Sequence, residues 1–277
     1  MNQLVTFGPD QHLVGILSGD PVSTAPVLVL PNAGLIPRAG PFRLHVELAE
    51  RLAAHGIRTF RFDTPGVGEA PRLSGCDTRE ATLAALDHLA VHHGVDRFVV
   101  GGVCSAADLG WALATRDRRV VGLLMLDGIS FTGFWFHFAR IAGALRRGPG
   151  AWFGIARRLL GRTAANATAA AAGAGRMPFI ADERGWPGRA EARRQFAALV
   201  RRGARSLWIY TGGYADLFLH PRQFVAMFGR VARSPAVEMH YWPDCDHTFY
   251  ARQHRDRLLG TIEQWMLTQE RAGWSVR

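Results

Sequence analysis

Short runs rich in apolar residues alternate with longer amphipathic segments along most of the chain beyond residue 26. Four of these runs lie at residues 27–30, 58–62, 98–103 and 120–126. The segments between them, such as residues 42–55 and 78–92, place apolar side chains three or four residues apart. Buried parallel strands connected by amphipathic helices produce this alternation. The sequence therefore predicts an α/β fold with a mostly parallel central sheet flanked by helices.

The alternation is interrupted between residues 128 and 203. This stretch is rich in aromatic residues and paired arginines, and it contains a tract of mostly Ala, Gly and Thr at residues 164–175. Phe134, Phe138 and Ile141 have the spacing of one helix face. We expect a helical cap at residues 128–203, inserted into an α/β core formed by residues 1–127 and 204–277.

Outside the cap, the pattern of apolar residues predicts further elements of the same sheet. A β-hairpin before the first parallel strand is expected at residues 4–7 and 13–17. A helix is expected at residues 106–115 before the cap; after the cap, strands are expected at residues 206–210 and 237–242, with helices at residues 221–232 and 253–270.

The formal net charge is +10, and all 33 basic residues are arginine. Together with abundant Ala and Gly, this usage is typical of a GC-rich genome. It also fits a basic face that attracts an acidic partner, such as a carrier protein, an anionic membrane surface or a polyanion. No arginine cluster belongs to a recognisable nucleic-acid-binding motif, so nucleic acid is the least favoured of these partners.

The cysteine content and the hydropathy pattern bear on location. Cys76, Cys104 and Cys245 are widely spaced and odd in number, which argues against a disulfide framework and favours a reducing compartment. The first ten residues lack the basic start and apolar run of a signal peptide. No window reaches about 18 uncharged apolar residues, the length of a transmembrane helix. We therefore expect a cytoplasmic protein without a transmembrane segment.

A candidate nucleophile lies between the predicted strand at residues 98–103 and the helix that follows it. A nucleophile on a sharp strand-to-helix turn is flanked by small residues, in the pattern Gly-x-nucleophile-x-Gly. Gly102 and Ala106 frame Cys104 in this way, whereas Ser105 falls one residue late. A thiolate at a helix N-terminus is a good nucleophile when a histidine is close. Cys104 is thus the expected nucleophile, with Ser105 as the alternative.

The histidine and carboxylate that such a nucleophile needs are predicted from chain order. Asp216 and His247 each follow a predicted strand, in the order acid and then histidine. His247 would remove the thiol proton, and the carboxylate would orient the imidazole and stabilise its charged form. Asp127, at the end of the strand at residues 120–126, is the second candidate for the acid. Asp244 and Asp246 are too close to His247 in sequence and are expected to form turns.

Substrate contacts are expected from the loop after the first parallel strand and from the cap. The backbone N–H groups of Ser105 and Ala33 are expected to form an oxyanion hole. The amide of Asn32 either orders this loop or is a simple turn residue. Arg38 either binds an anionic substrate group or only solvates the surface, and Phe134 and Trp135 are expected to contact an apolar acyl chain.

Three motifs resemble those of α/β-hydrolases linked to exosortase and exopolysaccharide loci. They are residues 30–41 (LPNAGLIPRAGP), residues 61–69 (RFDTPGVGE) and residues 102–107 (GVCSAA). The resemblance implies an α/β-hydrolase fold and a Cys or Ser nucleophile at position 104. The sequence departs from the family at Ala106, where glycine is usual, and at residues 69–70, where Glu-Ala replaces Asp-Ser.

Together these features predict a hydrolase or acyltransferase that acts on an ester or thioester through an acyl-enzyme. Its partner would be a small acyl substrate, free or bound to a carrier protein, and no metal or organic cofactor is expected. Two alternatives stay open. The same fold could carry a lyase or cyclase reaction, or the chain could be a binding module for a carrier protein or membrane surface.

Overall fold

The computed structural model describes residues 2–146 and 184–274. Within these ranges eight strands form one sheet, in the order β1-β2-β4-β3-β5-β6-β7-β8. Their bounds are β1 (Asn2–Phe7), β2 (Leu13–Ser18), β3 (Val27–Pro31), β4 (Thr59–Phe62), β5 (Phe98–Val103), β6 (Val120–Leu126), β7 (Arg205–Thr211) and β8 (Val237–Trp242). The pairs β1–β2 and β2–β4 are antiparallel, and β3 to β8 pair in parallel.

The helices of the described residues lie between these strands and on both faces of the sheet. They are α1 (Leu44–Ala53), α2 (Thr78–His93), α3 (Ser105–Ala114), α4 (Phe134–Arg146), α5 (Arg189–Arg201), α6 (Pro221–Phe228) and α7 (Arg252–Ala272). Short 3-10 turns are found at Pro9–Gln11, Pro41–Arg43, Gly212–Tyr214 and Gly229–Arg233. None of these helices is long and apolar enough to cross a membrane.

The predicted α/β class with a mostly parallel sheet is confirmed, and several bounds agree closely. Strands β5, β6 and β8 have the predicted limits. The predicted hairpin forms β1 and β2. The helix expected at residues 221–232 ends as an α-helix at Phe228 and continues as the turn Gly229–Arg233, because Gly229 adopts a positive φ of 73°.

Two hydrophobic clusters cover the two faces of the sheet. One contains Phe7 and Phe60 and extends under α2, α3, α5 and α6. The other contains Leu28, Leu48 and Leu258 and lies under α1 and α7. Because both faces are covered, the carboxyl ends of the central strands are where polar groups can meet.

The range expected to form a cap is described only in part. Helix α4 packs against α6. Phe196 of α5 lies in the main core, with its ring 5.4 Å from Trp208 and 4.7 Å from Phe228. The Ala-rich tract at residues 164–175, and the cap aromatics Trp152 and Phe153, lie outside the described residues.

Candidate active site

The turn between β5 and α3 holds Cys104 in an unusual backbone conformation. Cys104 has φ 56° and ψ −117°, a region that residues other than glycine rarely adopt. Gly102 has φ 144°, and a Cβ there would lie 3.1 Å from the Cβ of Ala106. The missing side chain at position 102 therefore makes room for the methyl group of Ala106. The turn places the thiol at the N-terminus of α3, where the helix dipole favours a thiolate.

The imidazole of His247 is held by a buried carboxylate. Asp127 follows β6 directly and is fully buried. Its Oδ2 atom lies 2.7 Å from Nδ1 of His247 and accepts a hydrogen bond of 2.6 Å from the Thr211 hydroxyl. Its Oδ1 atom accepts a hydrogen bond of 2.7 Å from the Thr211 backbone N–H. Thr211 and His247 thus give this buried carboxylate three hydrogen-bond partners.

The structure brings Asp127, and not Asp216, into contact with His247. Asp216, expected to orient His247, is exposed in the turn that follows Gly212–Tyr214. The carboxylate that contacts His247 belongs to Asp127, the second candidate. β7 lies between β6 and β8 in the sheet, and the three strands run in parallel. The residues that follow β6 and β8 therefore meet near the carboxyl end of β7.

Cys104 and His247 are electrostatically linked. Burial disfavours the thiolate, but a hydrogen bond with His247 and the charge of Arg184 outweigh it, so the pKa of Cys104 falls below its ordinary value. Burial likewise disfavours the imidazolium, yet hydrogen bonds to Asp127 and Cys104 raise the pKa of His247 to about 9. Both directions favour the thiolate–imidazolium pair over the neutral thiol and imidazole.

The loop after β3 is ordered by Asn32. This buried side chain accepts hydrogen bonds of 2.8 and 2.6 Å from the backbone N–H and hydroxyl of Thr64, and it donates one of 2.6 Å to the Gly34 carbonyl. The Gly34 N–H in turn donates to the Ser105 hydroxyl at 2.9 Å. The loop is thus tied to the first residue of α3.

This arrangement places the expected oxyanion donors on one connected unit. Ala33 lies between Asn32 and Gly34, and Ser105 opens α3. Neither of the N–H groups of Ala33 and Ser105 donates to an acceptor within residues 2–146 and 184–274. The Ser105 hydroxyl itself faces Gly34, so it is engaged with the loop.

Sequence reasoning missed Arg184, whose side chain is only 7% exposed. Its guanidinium forms an ion pair with Asp108, donates to the Tyr214 hydroxyl at 2.8 Å and to the Asp127 carbonyl oxygen at 3.3 Å, and lies 4.8 Å from the Trp186 ring. One arginine among 33 has no distinguishing pattern, and no local signal in the sequence could have identified it. The spacing of four residues between Cys104 and Asp108 could have indicated that Asp108 lies on the same side of α3 as the thiol.

Tyr214 connects Arg184 with the histidine. Its ring stacks on that of His247 at a centroid distance of 6.0 Å. Its hydroxyl donates to the Gly128 carbonyl at 3.0 Å and accepts from Arg184. The ring therefore supports one side of the imidazole while its hydroxyl is fixed.

A cavity of about 670 Å³ opens beside the turn. Its apolar wall is formed by Leu109, Trp111, Ile129 and Trp186, and polar groups come from Asp77, Ser105, Asp108, Arg184 and Gln195 among others. Phe134 and Trp135 are not among its described lining residues. A space of this size with mixed lining can accept a small molecule with both an apolar and a polar part.

The side chains of Arg38, Phe134 and Trp135, which the sequence predicted to contact substrate, do not line this cavity. Arg38 forms ion pairs with Asp63 and Glu69, so its charge is already matched within the protein. Trp135 stacks on His220 at 5.0 Å and thereby packs α4 against the start of α6. Phe134 is 73% exposed.

One group of described residues could geometrically hold a metal ion. Ligand atoms of Asp244, Cys245 and His254 lie within 4.8 Å of one another. Arg257 lies 3.4 Å from the Asp244 carboxylate and would repel a cation there. Burial raises the pKa of Cys245 to about 11, which disfavours the thiolate that a metal needs.

Sequence comparisons and structure comparisons give different results for this chain. No protein-family model matches the sequence, and no curated protein matches it. A structure of a protein of unknown function from Agrobacterium tumefaciens, described as an α/β hydrolase, is similar with a TM-score of 0.57 and 14% identity, over 100% of this chain and 99% of that one. The chain has the α/β-hydrolase fold.

Two other solved structures of this fold carry names of enzymes. An esterase from Pyrococcus furiosus is similar with a TM-score of 0.57 and 12% identity, over 96% of this chain and 91% of the other. A thioesterase domain from the curacin biosynthetic pathway is similar with a TM-score of 0.56 and 13% identity, over 96% and 99%. At such identities the likeness is one of fold.

Proposed function

We propose that the chain is a hydrolase that cleaves an ester or thioester through an acyl-enzyme on Cys104, with His247 as base and Asp127 as the residue that orients it. The observation that carries this proposal is the 2.7 Å hydrogen bond between buried Asp127 and His247. It is supported by the strained turn at Cys104 and by the directions of the Cys104 and His247 pKa values. The names of the similar esterase and thioesterase agree with it.

Acylation starts from the thiolate–imidazolium pair. The Cys104 thiolate attacks the acyl carbonyl carbon, a C–S bond forms, and the carbonyl electron pair moves onto the oxygen. The N–H groups of Ala33 and Ser105 stabilise that oxyanion. The intermediate collapses, and the leaving alkoxide or thiolate takes the proton from His247.

Deacylation uses the same groups in reverse. Once Cys104 is acylated, His247 is neutral and Asp127 fixes the tautomer with its free nitrogen facing the thioester. His247 takes a proton from water, the hydroxide adds to the acyl carbon, and the C–S bond breaks to restore the thiolate. A hydroxyl or amine acceptor in place of water would make the same site an acyltransferase.

The chemistry of a thiolate limits the substrate. A thiolate leaves a tetrahedral intermediate more readily than an amine does, so thioesters and activated esters suit this nucleophile better than amides. An acyl chain would lie along the apolar wall of the 670 Å³ cavity, and its polar groups would meet Asp108 and Arg184. We also predict that a carrier protein in the cytoplasm delivers the acyl group. Kinship with the exosortase-linked hydrolases is a separate prediction.

Hydrolysis of a panel of acyl thioesters and aryl esters tests the proposal. Wild-type protein should turn over at least one class, and Cys104→Ala should lose at least about a thousandfold in kcat/KM. Cys76→Ala is the matched control, because Cys76 lies outside the site, and it should keep wild-type rates. Retained turnover in Cys104→Ala would overturn the proposal, and a complete lack of turnover on the panel would favour the non-hydrolytic alternatives.

A further inference from the structure

Arg61, in the middle of β4, is a largely buried side chain with no hydrogen-bond or ion-pair partner among the described residues. The residue is 7% exposed, and its Nε atom is shielded from solvent. Within residues 2–146 and 184–274 its guanidinium forms no hydrogen bond and no ion pair. Most of this side chain is removed from water, a position in which charges are ordinarily paired, while its two terminal nitrogens stay accessible to a ligand. A group that is retained under these conditions points to a ligand that completes it.

Arg61 faces a cavity of about 540 Å³ at the edge of the sheet. This cavity is separate from the one beside Cys104 and lies between β2, β4, the start of α1 and the loop after β3. Its charged lining residues are Arg38, Arg43, Glu50, Arg61, Asp63 and Glu69. The volume is ample for a small organic ion.

The three arginines and three acids of the lining balance in number, but two of the acids are taken up by one arginine. Arg38 is matched by Asp63 and Glu69. Arg43 is exposed and forms no ion pair with any described residue, and Glu50 is the remaining acid of the lining. Glu50 does not come within ion-pair distance of Arg61.

We propose that this cavity binds a small oxyanion, a phosphate or carboxylate group, which Arg61 holds from below and Arg43 from the open side. The planar fork of a guanidinium binds two oxygens of either group at once. The proposal is independent of the reaction at Cys104. The cavity does contact the loop after β3, because Asp63 on the cavity wall accepts a hydrogen bond of 2.6 Å from the Arg38 backbone N–H in that loop.

Thermal unfolding and calorimetric titration of the full chain with sodium phosphate or sodium acetate, against sodium chloride at equal ionic strength, test the proposal. A ligand that binds only the folded state raises Tm. Phosphate or acetate should raise the Tm of the wild type saturably above chloride. A response to phosphate alone assigns a phosphate group, and a response to acetate assigns a carboxylate.

Three variants make this test specific to Arg61. Arg61→Met keeps the volume and removes the unpaired charge, so it should fold and lose at least about tenfold in anion affinity. Glu50→Gln removes the competing acid and should bind the anion more tightly. Arg58→Met is the matched control, since Arg58 is 5% exposed, near the same strand and outside the cavity, and it should bind like the wild type. No Tm response of the wild type above chloride, or an equal response in Arg61→Met, would overturn the proposal.

Discussion

Nδ1 of His247 lies 2.7 Å from Oδ2 of Asp127, although the two residues are 120 positions apart in the sequence. The contact joins the ends of β6 and β8, and Thr211 at the end of β7 donates two further hydrogen bonds to the carboxylate. Three neighbouring strands therefore fix one imidazole orientation. The carboxylate in contact with His247 follows β6, whereas the first candidate, Asp216, follows β7; both positions keep the chain order of acid and then histidine.

The first prediction compares the two acids. Asp127→Asn should lower kcat by about a hundredfold to ten-thousandfold, because an amide neither fixes the same tautomer nor stabilises the imidazolium. Asp216→Asn should stay within about twofold of wild type, since Asp216 is exposed and away from the contact. Steady-state kinetics of both variants, with circular dichroism to verify folding, checks this. A larger loss in Asp216→Asn would return the acid to that residue.

The second prediction concerns the pH dependence of the thiol. At pH 7, iodoacetamide should label Cys104 first, because burial and neighbouring acids raise the pKa values of Cys76 and Cys245. His247→Ala should shift the labelling midpoint of Cys104 to higher pH, since the hydrogen bond that favours the thiolate is lost. The rate of labelling is followed by peptide mass spectrometry over a pH series. An unchanged midpoint would show that His247 does not act on the thiol.

Acylation should depend on pH differently from labelling. Labelling needs only the thiolate and should reach a plateau as the pH rises. Acylation also needs the imidazolium proton for the leaving group, so its rate should fall as the pH passes about 9, where His247 loses that proton. Stopped-flow acylation with an alkyl ester gives the profile. A plateau above pH 9 would contradict proton donation by His247.

The third prediction tests the link between the loop and α3. Ser105→Ala removes the acceptor of the Gly34 N–H and should lower kcat by about tenfold while labelling of Cys104 persists. Ser105→Thr keeps the hydroxyl and serves as the control. Asn32→Ala removes three hydrogen bonds of a buried side chain and should lower the free energy of unfolding by about 1–3 kcal/mol. Urea unfolding and turnover are the measurements, and wild-type behaviour in both alanine variants would contradict the account of the loop.

The fourth prediction concerns the buried Arg184–Asp108 pair. Arg184→Met leaves Asp108 unpaired and should lower the free energy of unfolding by about 3–5 kcal/mol at pH 7. Replacing both, as Arg184→Met with Asp108→Leu, should recover most of that loss. Burial raises the pKa of Asp108 to about 6 even with Arg184 present.

The same pair predicts how stability changes with pH. A carboxyl whose pKa is higher in the folded than in the unfolded state favours folding below its unfolded pKa, and that benefit is lost as the pH rises through the folded value. The loss in free energy of unfolding caused by Arg184→Met should therefore become smaller as the pH falls from 7 to 4. Denaturant unfolding at several pH values decides this, and a deficit that is constant with pH would mean that Asp108 is not the group left unpaired.

The sequence predicts those parts of the fold that depend on local patterns. Strand β6 is a run of apolar residues with a β-strand length, and its limits could be predicted from that run alone. The turn at Cys104 is also local, because it needs small residues at positions 102 and 106 whatever surrounds it. Both features follow from residues that are close together in the chain.

The remaining parts of the site depend on contacts that no local pattern records. Asp127 and Asp216 each follow a strand, and only the third dimension shows that Thr211 and His247 converge on Asp127. One signal was available: Asp127 directly follows a completely apolar strand, and a carboxylate at such a depth requires partners. Arg184 had no signal of this kind, because its hydrogen-bond partners lie 30 to 76 positions away.

The most direct measurement is rapid-quench intact mass spectrometry with an acyl thioester substrate, followed by peptide mapping. The account predicts one acyl group per chain, on the peptide and side chain of Cys104, present in Ser105→Ala and absent in Cys104→Ala. An acyl group on Ser105, or turnover in Cys104→Ala at the wild-type rate without an adduct, would contradict it.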